Sequence, residues 1–150
     1  MSNSPPENAA ELRARALRLL ARREHSRAEL VRKLAPRAES SPVLEGILEV
    51  LAQKNQLSEE RYAEARARQL ARKYGAAKIR QDLKAKGVDA QVIDRVSPED
   101  DLERASAILK RKYREPATTR EERARRARFL HSRGFSSDII RSLLSSRKRD

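Results

Sequence analysis

Leu83-Lys84-Ala85-Lys86-Gly87-Val88-Asp89-Ala90-Gln91-Val92-Ile93 returns 47 residues later as Leu130-His131-Ser132-Arg133-Gly134-Phe135-Ser136-Ser137-Asp138-Ile139-Ile140. Leucine matches leucine, a cation precedes each glycine, and an apolar residue follows it. A capping residue type comes next (Asp89, Ser136), then an aliphatic pair. Glycine is the residue that enters the left-handed region without strain, and a helix commonly stops on it. With Gly87 or Gly134 at C′, Val88 meets Leu83 and Phe135 meets Leu130, the apolar contact of a Schellman stop. The same residue precedes the next helix and faces Ile93 or Ile140 as a hydrophobic staple. One side chain thus fixes the exit from one helix and the entry to another. Two copies at one spacing predict a repeated helical unit.

Working outward, the same punctuation divides the rest. Leu12, Ala16, Leu19 and Leu20 recur at helical spacing from Ala9 to about Arg23. Ser26-Arg27-Ala28-Glu29 is a capping box opening a second helix, which Pro36 ends. Ser41-Pro42 starts a third, with proline at N1. Ser58 caps a long helix to about Lys73, with Leu57 stapled to Tyr62, and Tyr74-Gly75 breaks it. Helices through Ile79 and Leu83, and from Ala90 to Val96, complete a second unit. Ser97-Pro98 opens a third, and Thr119-Arg120-Glu121-Glu122 is its capping box. Ser26, Gly75 and Glu122 fall at equivalent points, as do Leu34, Leu83 and Leu130. No alternating β-branched run or hairpin turn is visible. The reading is all-α: about nine helices in three tandem three-helix repeats, at 9–56, 57–96 and 97–146, with a disordered tail at 1–8 and a basic tail at 147–150.

Composition narrows function. The chain has 150 residues, 38% charged, 3% aromatic, with net charge +13 and pI about 10.8. Thin apolar seams fit that better than one large core, and a polyanion is the expected partner. Without cysteine there is no disulfide, thiolate metal site or cysteine nucleophile. No apolar run approaches the ~18 residues of a membrane span, and Glu7 and Glu11 sit where a secretory signal would be apolar. The cytoplasm is expected. His25 and His131 are the only histidines, and both are read as surface residues. No phosphate-cradling loop or metal-ligand cluster appears, so catalysis, cofactor and metal are not expected. Glu99, Asp100, Asp101 and Glu103 near a helix start answer to the macrodipole.

Three stretches resemble the RecX family, the regulators of the RecA recombinase: Leu57-Ser58-Glu59-Glu60-Arg61-Tyr62-Ala63, Gly75 to Val88, and Arg128 to Ser136. Ser26 to Leu30 with Lys33-Leu34 adds an N-terminal match, and coverage runs from about Leu12 to Leu144. The resemblance implies tandem three-helix repeats in an elongated, curved array. It further implies a non-enzymatic protein that binds the RecA nucleoprotein filament and mostly inhibits it, restraining strand exchange, ATP turnover and the SOS response. The family usually has Asp-Asp where this chain has Ser58-Glu59. Ser58 still caps.

On a helical wheel Arg61, Arg68 and Arg72 lie within about 40° of one another, opposite Ala63, Ala67 and Leu70. Residues 66–86 carry eight cations and one acid, Asp82. Arg61, Arg68, Arg72, Lys73, Lys78, Arg80, Lys84 and Lys86 are therefore candidate filament or DNA contacts. Guanidinium forks there can take phosphate or carboxylate bidentately. A second cluster holds Arg120, Arg123, Arg125, Arg126, Arg128 and Arg133, of which Arg125, Arg128 and Arg133 are the further candidates. The bland alternative for the first cluster is a solvated face, and for the second it is pairing with Glu122 or the acids from Glu99 to Glu103. Arg126 stands where Ile79 stands in the second unit, and so needs a partner: Glu122, the acids from Glu99 to Glu103, DNA or a RecA acid. Tyr62, Tyr74, Tyr113, Phe129 and Phe135 fall mostly at core spacing, so base stacking is not expected. Contacts to single- or double-stranded DNA are expected to be electrostatic, sequence-independent and salt-sensitive, made by a monomer. The alternatives are a plain DNA-binding helical protein, a helix-turn-helix DNA binder and a pure interaction scaffold.

Overall fold

The computed structural model describes residues 5–145. The basic tail expected at 147–150, and the first half of the tail expected at 1–8, lie outside the described residues. Among the described residues there are nine α-helices and no strand, and one isolated bridge joins Glu7 to Ala38. The helices are α1 (Ala9–Arg22), α2 (Arg27–Leu34), α3 (Ser41–Gln53), α4 (Glu59–Leu70), α5 (Ala76–Ala85), α6 (Ala90–Ile93), α7 (Asp101–Lys112), α8 (Arg120–Ser132) and α9 (Ser137–Leu144), with a 3-10 turn Ala35–Arg37 after α2.

The two glycine stops form as the repeat requires. Gly87 and Gly134 have φ of 79° and 90°. Val88 N–H donates to Leu83 at 3.1 Å and Gly87 N–H to Lys84 at 3.0 Å; Phe135 and Gly134 repeat this on Leu130 and His131 at 3.3 and 3.0 Å. Both are Schellman ladders, and they satisfy carbonyls that a helix end leaves unpaired. A third ladder ends α3 on Asn55, at φ 64°, with Gln56 N–H donating to Leu51. Asparagine tolerates this region better than other side chains.

The helix starts follow their caps, with small shifts. Capping boxes open α2 at Ser26–Glu29 and α8 at Thr119–Glu122, and Ser58 accepts from Arg61 N–H to open α4. A further box, Asn8 with Glu11, opens α1. Glu7 is also held: it pairs with Arg15 at 2.8 Å and its N–H donates to Arg37. Glu7 and Asn8 are thus fixed where a disordered tail was expected. Ser40, not Ser41, caps α3, which puts Pro42 at the second helical position. The long helix ends at Leu70 rather than Lys73, because Gly75 N–H is taken by the Arg133 carbonyl. Helix α7 starts at Asp101, not at Ser97-Pro98: Ser97 instead accepts from Glu99 N–H in a tight turn.

Packing does not follow the repeat boundaries. Two compact units form, one holding the described residues up to Arg66 with Leu83–Ile93, the other Ala67–Asp82 with those from Asp94 on. The first is built on α1, α2 and α3 around Leu12, Leu30, Leu34, Leu48 and Leu51, each fully buried. In the second, α7, α8 and α9 enclose Ala105, Ile108, Leu130, Phe135 and Ile140.

One device recurs in both units. The first residue of α4, Glu59, accepts the N–H of Arg27, the first residue of α2, at 2.8 Å. The first residue of α7, Asp101, accepts the N–H of Ala76, the first residue of α5, through both oxygens at 3.1 and 3.2 Å. The opening acid of one repeat caps the second helix of the repeat before it. Asp101 is buried, and the acid stretch read as a dipole feature is in part this clamp. Desolvation raises the pKa of both carboxyls, against the lowering pull of the amides they bind.

His25 is buried, contrary to the surface position expected of it. Its Nδ1 lies 3.0 Å from the Arg23 carbonyl and its Nε2 3.1 Å from the Lys33 ammonium. A neutral ring protonated on Nδ1 serves both contacts, and burial lowers its pKa. His131 is exposed, as expected.

Candidate polyanion-binding surface

The structure sorts the predicted cations by what else they touch. Arg61 is committed inside its own unit: Nε pairs with Glu24 at 2.9 Å and Nη2 donates to the Asn55 carbonyl at 2.9 Å. Arg80 donates to the Val96 carbonyl through Nε at 2.9 Å and through Nη2. Arg68, Lys78, Lys84, Lys86, Arg125 and Arg128 are exposed. Lys86 lends only its carbonyl to the fold, accepting from the Ser26 hydroxyl at 3.5 Å. Arg72 falls beyond the end of α4, so it leaves the wheel on which it was grouped with Arg61 and Arg68.

Arg72, Lys73 and Arg133 come together in the second unit. They line a cleft of about 770 Å³ with Arg111 and Lys112 from the end of α7. The cations hold one another in place through backbone. Arg111 donates to the Arg72 carbonyl, and Arg133 Nη1 donates to the Lys73 carbonyl at 3.4 Å. Both carbonyls belong to the turn that ends α4, where partners are lacking and cations are favoured. The Arg72 and Lys73 side chains are exposed.

The aromatic residues complete the arrangement. Arg133 lies 5.4 Å from the Tyr74 ring centroid and 5.0 Å from that of Phe129. Lys112 lies 4.9 Å from Phe129 and 5.7 Å from Tyr113. Arg126 lies 4.3 Å from Tyr113, and Tyr113 meets Phe129 edge-on at 6.1 Å. Rings and cations thus alternate from Arg126 to Tyr74, each contact worth about 0.5–1 kcal/mol where solvent reaches it. Arg126 meets the Tyr113 ring, and its charge also acts on the Glu122 carboxylate. Tyr62 and Phe135 are core residues, but Tyr74, Tyr113 and Phe129 are half-buried and carry the cations. Leu70, Tyr74, Ile108 and Phe129 give the cleft an apolar floor, and among the described residues no acid lines it.

Arg111 and Lys112 were outside the predicted set. Their signal was the run Lys110-Arg111-Lys112 directly before Tyr113, in the last turn of α7. The helix after the Gly87 turn is only four residues long, whereas the one after the Gly134 turn has eight. Among the described residues no group of His, Asp or Glu could hold a metal ion, and no helix is long and apolar enough to cross a membrane.

Comparison with known proteins places this chain in a family. Three models match in order: the first three-helix domain of RecX over residues 13–49, the second over 58–96 and the third over 99–144. A relative named regulatory protein RecX from Leptothrix cholodnii is 43% identical over 147 residues, covering 96% of this chain and 92% of its own. One of the same name from Neisseria gonorrhoeae is 42% identical over 135 residues, covering 89% and 88%. A crystal structure of RecX from Lactobacillus salivarius superposes with a TM-score of 0.78 over 91% of this chain and 94% of that one, at 21% identity. Another, of a regulatory protein RecX, gives 0.75 over 90% and 72%, at 26% identity.

Proposed function

This chain belongs to the RecX family, and from that premise we propose that it regulates the RecA recombinase, mostly as an inhibitor, by binding the RecA–DNA filament through its cationic faces. It works without catalysis or cofactor, as a monomer in the cytoplasm. The observation that carries the reading is the cleft lined by Arg72, Lys73, Arg111, Lys112 and Arg133: Arg111 and Arg133 are held by backbone carbonyls, Lys112 and Arg133 lie over rings, and no acid among the described residues lines it. A surface so arranged costs its own fold repulsion, and a polyanion relieves it. The exposed guanidinium groups of Arg125 and Arg128 and the ammonium groups of Lys78, Lys84 and Lys86 extend the attraction to phosphates in any sequence.

The test is RecA-catalysed ATP hydrolysis and strand exchange on single-stranded DNA, with this protein titrated in. Both rates are expected to fall at protein concentrations below that of RecA. Rates unchanged at saturating protein would end the regulatory reading. Binding to DNA alone should weaken steeply with salt, log K falling by about 0.7 per phosphate contact for each tenfold rise in salt on a single strand.

A further inference from the structure

The cations of the second unit divide into two chemically different sets. Arg125 and Arg128 are exposed on α8 and lie outside that cleft. Arg72, Lys73, Arg111, Lys112 and Arg133 instead surround the apolar floor of Leu70, Ile108, Tyr74 and Phe129. A phosphate backbone has use for the cations but not for the floor. A base could use the floor only by stacking, and the ring faces are approached by Lys112 and Arg133 at 4.9 to 5.4 Å.

We infer that this cleft is a protein-contact site, and that its occupant is an acidic peptide segment bearing one large apolar side chain. The carboxylates take the guanidinium and ammonium rim, and the apolar side chain covers Leu70 and Phe129. Guanidinium groups suit this role because they pair with carboxylates bidentately and shed water more readily than ammonium groups. Arg111 and Arg133 are already fixed by backbone carbonyls, so little side-chain freedom is lost on binding. DNA contacts are left to the open face. The inference rests on the filament-regulator reading only for the identity of the protein that carries the segment.

Two fluorescein-labelled hexapeptides test it, Asp-Glu-Asp-Phe-Asp-Glu and the same sequence with serine for phenylalanine, read by anisotropy on the full chain. The phenylalanine peptide is expected to bind at least about tenfold tighter, the least that burying that ring should yield. Arg72→Ala with Lys112→Ala, both at exposed side chains, should lower its affinity by about tenfold or more, while Arg125→Ala with Arg128→Ala should change it no more than about threefold. Equal binding of the two peptides overturns the inference, since the floor would then have no role. So does displacement of the phenylalanine peptide by an oligothymidylate whose binding is lost in the Arg72→Ala, Lys112→Ala variant, which would make the cleft a nucleic-acid site. Tight, floor-dependent peptide binding with no effect on RecA would support the inference and remove the filament role instead.

Discussion

Replacing Asp101 by alanine tests the clamp between successive repeats. Ala76 is buried, and both oxygens of Asp101 lie within 3.2 Å of its N–H. Gly75, the residue before it, has no side chain to serve as a cap. The variant therefore leaves a buried donor with no acceptor, a loss of about 1–3 kcal/mol. Arg104, 3.1 Å from the same carboxylate, loses its partner as well. Opposing this, desolvation already burdens the carboxylate, as its raised pKa records, and that burden disappears. The net expectation is a destabilisation of about 1–2 kcal/mol, or a fall in Tm of roughly 2–8 °C for a chain of this size. Asp101→Asn keeps an acceptor for Ala76 and should stay within about 0.5 kcal/mol of the parent. The sign with pH follows from the raised pKa: the carboxyl favours the fold most below its unfolded value, and the advantage is lost as pH rises through the folded one. The margin of the parent over Asp101→Asn should accordingly widen as pH drops from 7 toward 4. Urea unfolding followed by circular dichroism measures all three chains. If Asp101→Ala unfolds within 0.5 kcal/mol of the parent, or Asp101→Asn is as damaging as alanine, the clamp is not a source of stability.

Three further outcomes are expected. Gly134→Ala should cost about 2 kcal/mol or more, because its φ is 90° and a Cβ would sit 2.7 Å from the Lys78 Cβ and 2.8 Å from its backbone nitrogen, whereas Gly46→Ala, with nothing within 4 Å, should stabilise by about 0.5–1 kcal/mol; thermal melts compare them. Glu29, bonded to Arg23, and Glu122, accepting from Thr118 and Thr119, are held down at about 2 from an ordinary 4.5, so their contribution is full above pH 4.5 and lost as pH falls toward 2; acid titration of Glu29→Gln should show a shallower loss than the parent. Arg68→Ala with Arg72→Ala should weaken binding to RecA–DNA filaments several-fold at constant helicity, checked by co-sedimentation and far-ultraviolet dichroism, and unchanged sedimentation would remove those two residues from the interface.

What the sequence disclosed was local. The Gly87 and Gly134 stops and the boxes at Ser26 and Thr119 are written in four to six consecutive residues, and each formed in place. The stop at Asn55 escaped because asparagine signals the left-handed region only weakly and no apolar residue directly follows it. The roles of Glu59 and Asp101 escaped for a different reason. An acid in the first turn looks the same whether it serves its own helix or another, and only the tertiary contact tells them apart. His25 was misplaced because its solvation is set by Arg23 and Lys33, the second of them a full helix away. The cleft was half legible: Arg72, Lys73 and Arg133 belong to the basic runs, but the rings that meet Lys112 and Arg133 are brought to them by α8, the end of α7 and the turn after α4.

The clamp gives the chain a direction. Helix α5 has glycine where a capping side chain belongs, and it receives its acceptor from a residue 25 positions downstream. Helix α8 instead carries Thr118, Thr119 and Glu122 of its own. A ribosome making this protein would release α5 with an open amide until Asp101 emerged, while α8 would be closed from the moment its first turn formed. Cutting the gene before Asp101 therefore costs the second repeat its cap, whereas the third repeat already brings its own ending.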